Sequence, residues 1–265
     1  MRYYVYNHHG FWQWGIPDNE LMERDVVFMW SDFPFRNEVK TLQAIGKKVI
    51  VYEHGFGALF DYELNNRDFV ADGYLALGDE SRDSLVRAGV DPNKILVTGN
   101  PIYDDIKKTK HTGNKALYVA LHWVRDVSYY NQMVFDQLRE AYPQLDWTVK
   151  LTDKTGDISA PKKWFNNVED NILEDIKEKL PKYDMVFTPR PSTFESFARL
   201  MGIPVYVVDE EESYKGDGEP EMVPMNNTYL KIGDKLPRQR LIDMDKYIKR
   251  PSLSFNLILE WIKTL

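Results

Sequence analysis

Residues 185–208, MVFTPRPSTFESFARLMGIPVYVV, read as strand, loop, helix and strand. Met185-Val186-Phe187 is a short apolar run, and Pro189 and Pro191 end it. Ser192 to Met201 carries apolar residues at helical spacing, and Gly202 follows as a C-terminal stop. Val205 to Val208 is a second β-branched run. A strand, a helix and a strand in that order make a βα unit and predict a parallel sheet.

The same rhythm extends in both directions. Arg2–Tyr6, Asp25–Trp30, Lys48–Tyr52, Gly73–Leu77 and Lys94–Thr98 read as strands. Between them, Phe35–Ile45 and Asp79–Ala88 read as helices stopped by Gly46 and Gly89. The polar, basic stretch Lys107 to Lys115 is the best linker, dividing the chain into 1–107 and 108–265. Strands at Ala116–Leu121 and Trp147–Leu151 then alternate with helices at Ser128–Ala141 and Val168–Leu180. Asp209–Pro237 reads as a long charged loop, of the kind that serves as a lid. Ser252–Leu265 reads as an amphipathic helix with Phe255, Ile258, Leu259 and Ile262 on one face.

Composition narrows the function classes. The 265 residues hold 34 Lys and Arg against 41 Asp and Glu, a net charge of -7. That opposes a general nucleic-acid coat protein but leaves room for a local basic groove. Cysteine is absent, so disulfides, thiolate zinc sites and a Cys nucleophile are excluded. His8 and His9 are adjacent, which is no ligand spacing on one face, so no metal site is expected. Asp243-Met244-Asp245 has a D-x-D spelling but follows an Arg-rich segment, and reads as a turn or helix start. No apolar run approaches the roughly 18–20 residues that span a bilayer, and Met1–Gly10 lacks a signal-peptide core. A cytoplasmic protein is expected.

Ligands of open parallel sheets bind beyond the carboxyl ends of the strands. The candidates are therefore the residues just after each strand. Ser192 and Thr193 stand at a helix N-terminus, where free N–H groups favour an anion, with Arg190 as a charged partner. Glu195, one turn in, suits ribose hydroxyls; Ser192 and Glu195 also fit a plain capping box. His54, inside Glu53-His54-Gly55-Phe56-Gly57, suits a general base or a phosphate contact. Gly99 and Asn100 form a turn suited to a hinge. His122 and Lys150 follow strands and would border the same site, although Lys150 also reads as an ordinary strand-edge charge.

Ala71 to Asp105, ADGYLALGDESRDSLVRAGVDPNKILVTGNPIYDD, resembles the end of the first lobe in GT-B glycosyltransferases. FTPRPSTFESFARLMGIPVYVVD (Phe187 to Asp209) resembles their donor-binding segment. Tyr52 to Gly57, YEHGFG, is similar to the His-Gly loop of CDP-glycerol glycerophosphotransferases, which with UDP-GlcNAc 2-epimerases are relatives of that group. The resemblance implies an α/β chain of two Rossmann-like lobes facing across a cleft, with the C-terminal helix packing back toward the first. It implies a glycosyltransferase moving a sugar from a nucleotide-diphosphate sugar, most simply a UDP-sugar, to an acceptor hydroxyl, with no essential metal or other cofactor. Arg190, Ser192, Thr193, Glu195, His122, Lys150, Gly99 and Asn100 would then bind donor. His54 would be the base, with Asp18 and Asp32 as rivals. Trp12, Trp14 and Gly55 would meet the acceptor, a glycan or small molecule. Three alternatives remain open: a phage-type transferase acting on hydroxymethylated DNA bases, a teichoic-acid glycerophosphotransferase, and a non-catalytic nucleotide-sugar binder. The setting would be a bacterial or phage-infected cell.

Overall fold

The structure is a computed structural model. It describes residues 3–5, 25–29, 32, 35–53, 69–120, 127–150, 168–169, 176–189, 193–209, 229–237, 243–249 and 254–265. Contacts group Met1–Asp105 with Asp243–Leu265 as one unit, and Ile106–Ile242 as a second.

The first unit holds five parallel strands in the order β1-β2-β3-β4-β5: Tyr3–Val5, Val26–Met29, Lys48–Tyr52, Gly73–Ala76 and Ile95–Val97. Right-handed crossovers that step in one direction place their helices on one face. Helix α1 (Arg36–Ala44) accordingly packs Val39 and Leu42 on Val27, Met29 and Val49. Helix α2 (Asp79–Arg87) packs Leu85 on Val51, Tyr74 and Ala76, the same face. Val26, Phe28, Ile50, Tyr52 and Leu75 point the other way, and there Ile258 and Ile262 of the C-terminal helix cover them. Burial also raises the Tyr52 hydroxyl pKa.

The linker divides the sequence into 1–107 and 108–265, but packing returns 243–265 to the first unit. The physical reason is the second face of a sheet wound one way. A C-terminal helix packing back on the first lobe is what the fold resemblance implies.

The second unit is wound both ways. Its six parallel strands run β11-β10-β9-β6-β7-β8. They are β6 (Lys115–Val119), β7 (Asp146–Lys150), β8 (Val168–Glu169), β9 (Met185–Thr188), β10 (Val205–Asp209) and β11 (Tyr229–Lys231). The chain starts at β6, steps out to β8, then returns to β9 on the other side of β6. This reversal puts helices on both faces. Helix α3 (Val127–Ala141) packs Val134, Phe135 and Leu138 against Tyr118, Trp147, Val149 and Phe187. The Phe187 ring lies 4.9 Å from Trp147 and 5.0 Å from Tyr206, centroid to centroid. Short α4 (Ile176–Lys179) precedes β9, and α5 (Thr193–Met201) follows it. Helix α6 (Ser254–Ile262) ends the chain.

Two elements depart from the sequence reading. The expected helix Val168–Leu180 begins as the two-residue strand β8, and among its described residues Ile176–Lys179 is α-helical. The expected loop Asp209–Pro237 contains β11. Both strands exist through ladder pairs with a neighbour, Val149↔Val168 and Val207↔Tyr229. Runs this short carry no period of their own. Among the described residues no helix is long and apolar enough to cross a membrane.

Candidate functional site

The reversal in the second sheet lies between β6 and β9. Beyond the carboxyl ends of such a pair, diverging crossovers leave a crevice, which is where ligands of doubly wound sheets sit. Thr188 ends β9 and is buried. The next described helix, α5, begins at Thr193, so its first-turn N–H groups belong to this edge.

Helix α5 is buried along Phe194–Met201, polar residues included. Glu195 is fully buried and accepts a hydrogen bond from Arg199 Nε at 2.7 Å, one helical turn on. The Arg199 side chain is itself buried. A carboxylate without water needs such a partner. At its far end the helix closes on Gly202, at φ +81°. Gly202 N–H donates to Arg199 O and Ile203 N–H to Ala198 O, a Schellman closure that turns the chain into β10.

Lys150 ends β7, one strand from the reversal. Its neighbour Val149 faces α3, so Lys150 faces the opposite, α5 side. It is 3% exposed. Its ammonium lies 4.9 Å from the Phe194 ring centroid. Burial lowers its pKa to about 8. The strand-edge alternative therefore does not describe it: β7 is flanked by β6 and β8.

The first unit shows where its candidates stand. Asp32 follows β2 and is buried. Its Oδ2 accepts from Tyr74 Oη at 2.6 Å, Val70 N–H at 3.1 Å and Ala71 N–H at 3.3 Å. Asn100 is buried, and its Oδ1 accepts from Ile102 N–H at 3.1 Å. Gly99, at φ +73°, touches the backbone of Lys249; a Cβ there would stand 1.8 Å from Lys249 O. Asp32, Gly99 and Asn100 thus make local contacts within their own unit.

Two residues escaped the sequence reading. Glu53 is buried directly before His54. Its Oε2 accepts from Leu77 N–H at 3.0 Å, and its own N–H donates to Leu75 O at 3.2 Å. The signal was a carboxylate in the first position after an apolar parallel strand. Arg199 was legible as the i,i+4 partner of Glu195. His54, Gly55, Asp18, Trp12, Trp14, His122, Arg190 and Ser192 lie outside the described residues, as does the Thr193 side chain. Among the described residues no three His, Asp or Glu side chains group as metal ligands.

No protein-family model and no curated protein matches the chain. Solved structures do. The chain superposes on S. aureus MnaA, solved with UDP, at a TM-score of 0.59 and 15% identity, covering 92% of this chain and 75% of that one. The Neisseria meningitidis UDP-GlcNAc 2-epimerase bound to UDP-GlcNAc gives 0.54 and 12%, over 92% and 77% of the two chains. The Methanocaldococcus jannaschii UDP-GlcNAc 2-epimerase, with UDP-GlcNAc and UDP, gives 0.50 and 12%, over 92% and 76%. The fold is GT-B. Both sheets of this GT-B chain are parallel and Rossmann-like, as the resemblance implies.

Proposed function

We propose that the chain is a nucleotide-sugar glycosyltransferase whose second unit binds the donor. The observation that carries this reading is the strand reversal between β6 and β9, with α5 opening at Thr193 after β9 and carrying the buried carboxylate of Glu195. A GT-B fold shared with structures that hold UDP or UDP-GlcNAc supports it.

In this reading the first turn of α5, with Arg190, Ser192 and Thr193, receives the diphosphate, and Glu195 receives the ribose. His54 removes the proton of the acceptor hydroxyl as the bond from the anomeric carbon to the diphosphate breaks. The N–H groups and Arg190 stabilise the departing charge. His54 is preferred over Asp32 because Asp32 Oδ2 already accepts three hydrogen bonds. The acceptor is a hydroxyl of a glycan or small molecule.

Two of the similar structures are UDP-GlcNAc 2-epimerases, which favours one second reading, epimerisation at C2 of a UDP-sugar. Thermal shift against UDP-, CDP-, GDP- and TDP-sugars tests the donor site and names the base. A ligand at a hundredfold excess over its Kd stabilises by about 2.7 kcal/mol; stabilisation by none overturns the reading. NMR of the bound sugar nucleotide in D2O then separates the chemistries. Acceptor-dependent release of the nucleoside diphosphate supports transfer, abolished by His54→Ala. Deuterium entering at C2, with appearance of the 2-epimer, supports epimerisation instead.

A further inference from the structure

Lys107 to Lys115 has the composition of a solvated linker, yet hydrogen bonds fix it to the second unit. Thr109 N–H donates to Met201 O at 2.9 Å, at the carboxyl end of α5. Asp184, just before β9, accepts from Thr112 N–H at 3.1 Å and Gly113 N–H at 2.8 Å on Oδ1, and from Lys115 N–H at 3.1 Å on Oδ2. A Cβ on Gly113 would stand 2.4 Å from that Oδ2. Asp184 N–H in turn donates to Lys115 O at 2.8 Å. Asn114 Nδ2 donates to Gln144 O at 3.0 Å. Strands β6 and β9 begin here, at Lys115 and Met185, side by side and parallel. This is therefore the amino edge of the second sheet, opposite the crevice.

The fixed segment holds cations together. Lys108, Lys110 and Lys115 are exposed, and so is Lys182, two residues before Asp184. Among the described residues none of the four ammonium groups has an ion pair or hydrogen bond. Asp184 spends its oxygens on backbone N–H groups. On the elements that end here the other acids are Asp146 at the head of β7, Glu140 beside Arg139, and Glu178 between Lys177 and Lys179. The carboxyl end of α5 favours cations within its last turn. That accounts for Lys108 and Lys110, but not for Lys115 and Lys182 at the heads of β6 and β9. A loose linker would let like charges move apart; this one keeps them in place, on a chain whose net charge is -7.

We propose that Lys108, Lys110, Lys115 and Lys182 form a track for the phosphodiester backbone of nucleic acid, held in shape by Asp184. The chemistry of the track selects this partner. Residues 107–115 and 179–188 contain no Arg to grip a base edge, and Tyr183, the aromatic closest to Lys182 in sequence, is buried, so it offers no exposed ring to stack a base. Phosphate contact without base reading is what remains, and it gives binding without sequence preference. Nor does an exposed large apolar side chain stand among these lysines to enter a bilayer. The track draws on nothing in the nucleotide-sugar reading and lies at the other edge of the sheet from it.

Fluorescence anisotropy with the full chain and a random-sequence DNA duplex, titrated across salt concentrations, tests this. The expected Kd is about 1–100 μM near physiological salt, with log K falling linearly against log salt. Replacing the four lysines together by Gln should lower that slope by about 3–4 and weaken binding about tenfold or more. The four are exposed and unpaired, so Tm should hold. Replacing Lys40, Lys246, Lys249 and Lys263 by Gln removes the same charge from the first unit and should leave the slope unchanged. Vesicles of phosphatidylcholine with about one-third phosphatidylserine should bind more weakly than DNA. A duplex that does not bind at low salt overturns the proposal, as does an equal change of slope in both variants. Vesicle binding as tight as DNA binding overturns the choice of partner and makes the edge a membrane contact.

Discussion

Lys150 and Glu195 are charges removed from water by opposite means. Glu195 is matched by Arg199 on its own helix, at 2.7 Å. Breaking such a pair leaves one buried charge uncompensated, at a cost of about 3–5 kcal/mol, whereas removing both ends is far cheaper. Arg199→Met should therefore be severely destabilising, and Glu195→Gln with Arg199→Met should recover most of the loss in urea denaturation. An additive double variant would show that the two act separately. Lys150 instead carries its burial as a lowered pKa of about 8 against an ordinary 10.5. The sign follows from proton counting. Between these values the unfolded chain binds more protons than the folded one, so stability rises with pH. The gap corresponds to about 3 kcal/mol. Lys150→Met should accordingly stabilise the chain below pH 8, and its advantage should shrink toward pH 10.5. A constant difference across that window, by denaturant titration, would sink this account.

Helices and turns show how far local sequence reaches. The Schellman closure at Gly202 recurs at Gly46 and Gly89, each with its paired backbone bonds, and both stops were legible from the sequence. The turn at Gly99 was legible only as a turn. Its glycine is required by a segment remote in sequence. Lys249 N–H donates to Leu77 O at 2.7 Å, and Lys249 O rests on Gly99. Lys249 and Lys246 also pair with Asp79 and Glu80 at the start of α2, but these contacts are largely exposed and contribute little. Gly99→Ala should thus cost roughly 2 kcal/mol or more, from positive φ and a backbone collision together. Lys246→Ala and Lys249→Ala should leave Tm nearly unchanged. Comparable losses in all three, by thermal melting, would place the anchor in the ion pairs. The same region is tied to the residue that follows β3, since Leu77 N–H donates to Glu53 Oε2.

The whole molecule depends on α6 for one face of its first sheet. Ile258 and Ile262 are fully buried against Val26, Phe28, Ile50, Tyr52 and Leu75. Truncating either to Ala should destabilise by about 2–5 kcal/mol. The loss belongs to the first unit, so hydrogen exchange should quicken in peptides covering β2 and β3 and stay unchanged in those covering β6 and β9. Equal acceleration in both units would mean that they unfold as one. Asp104 supports the same docking, accepting from Ser254 Oγ at the head of α6.

Alternating apolar runs and helical periods, read residue by residue, were enough for most strands, the helix stops and the segment 187–209 as the candidate site. These signals span a few residues, because strand pleat and helix turn repeat at periods of 2 and 3.6. Strand order does not repeat at any local period. That β9 lies beside β6 rather than β8, which creates the crevice, rests on pairings such as Leu117↔Val186, far apart in sequence. The faces follow from that order. Lys150 reads as an edge charge until β8 covers one side of its strand and α5 brings Phe194 to the other. The C-terminal residues read as one more helix until a sheet wound in one direction leaves them a face to cover.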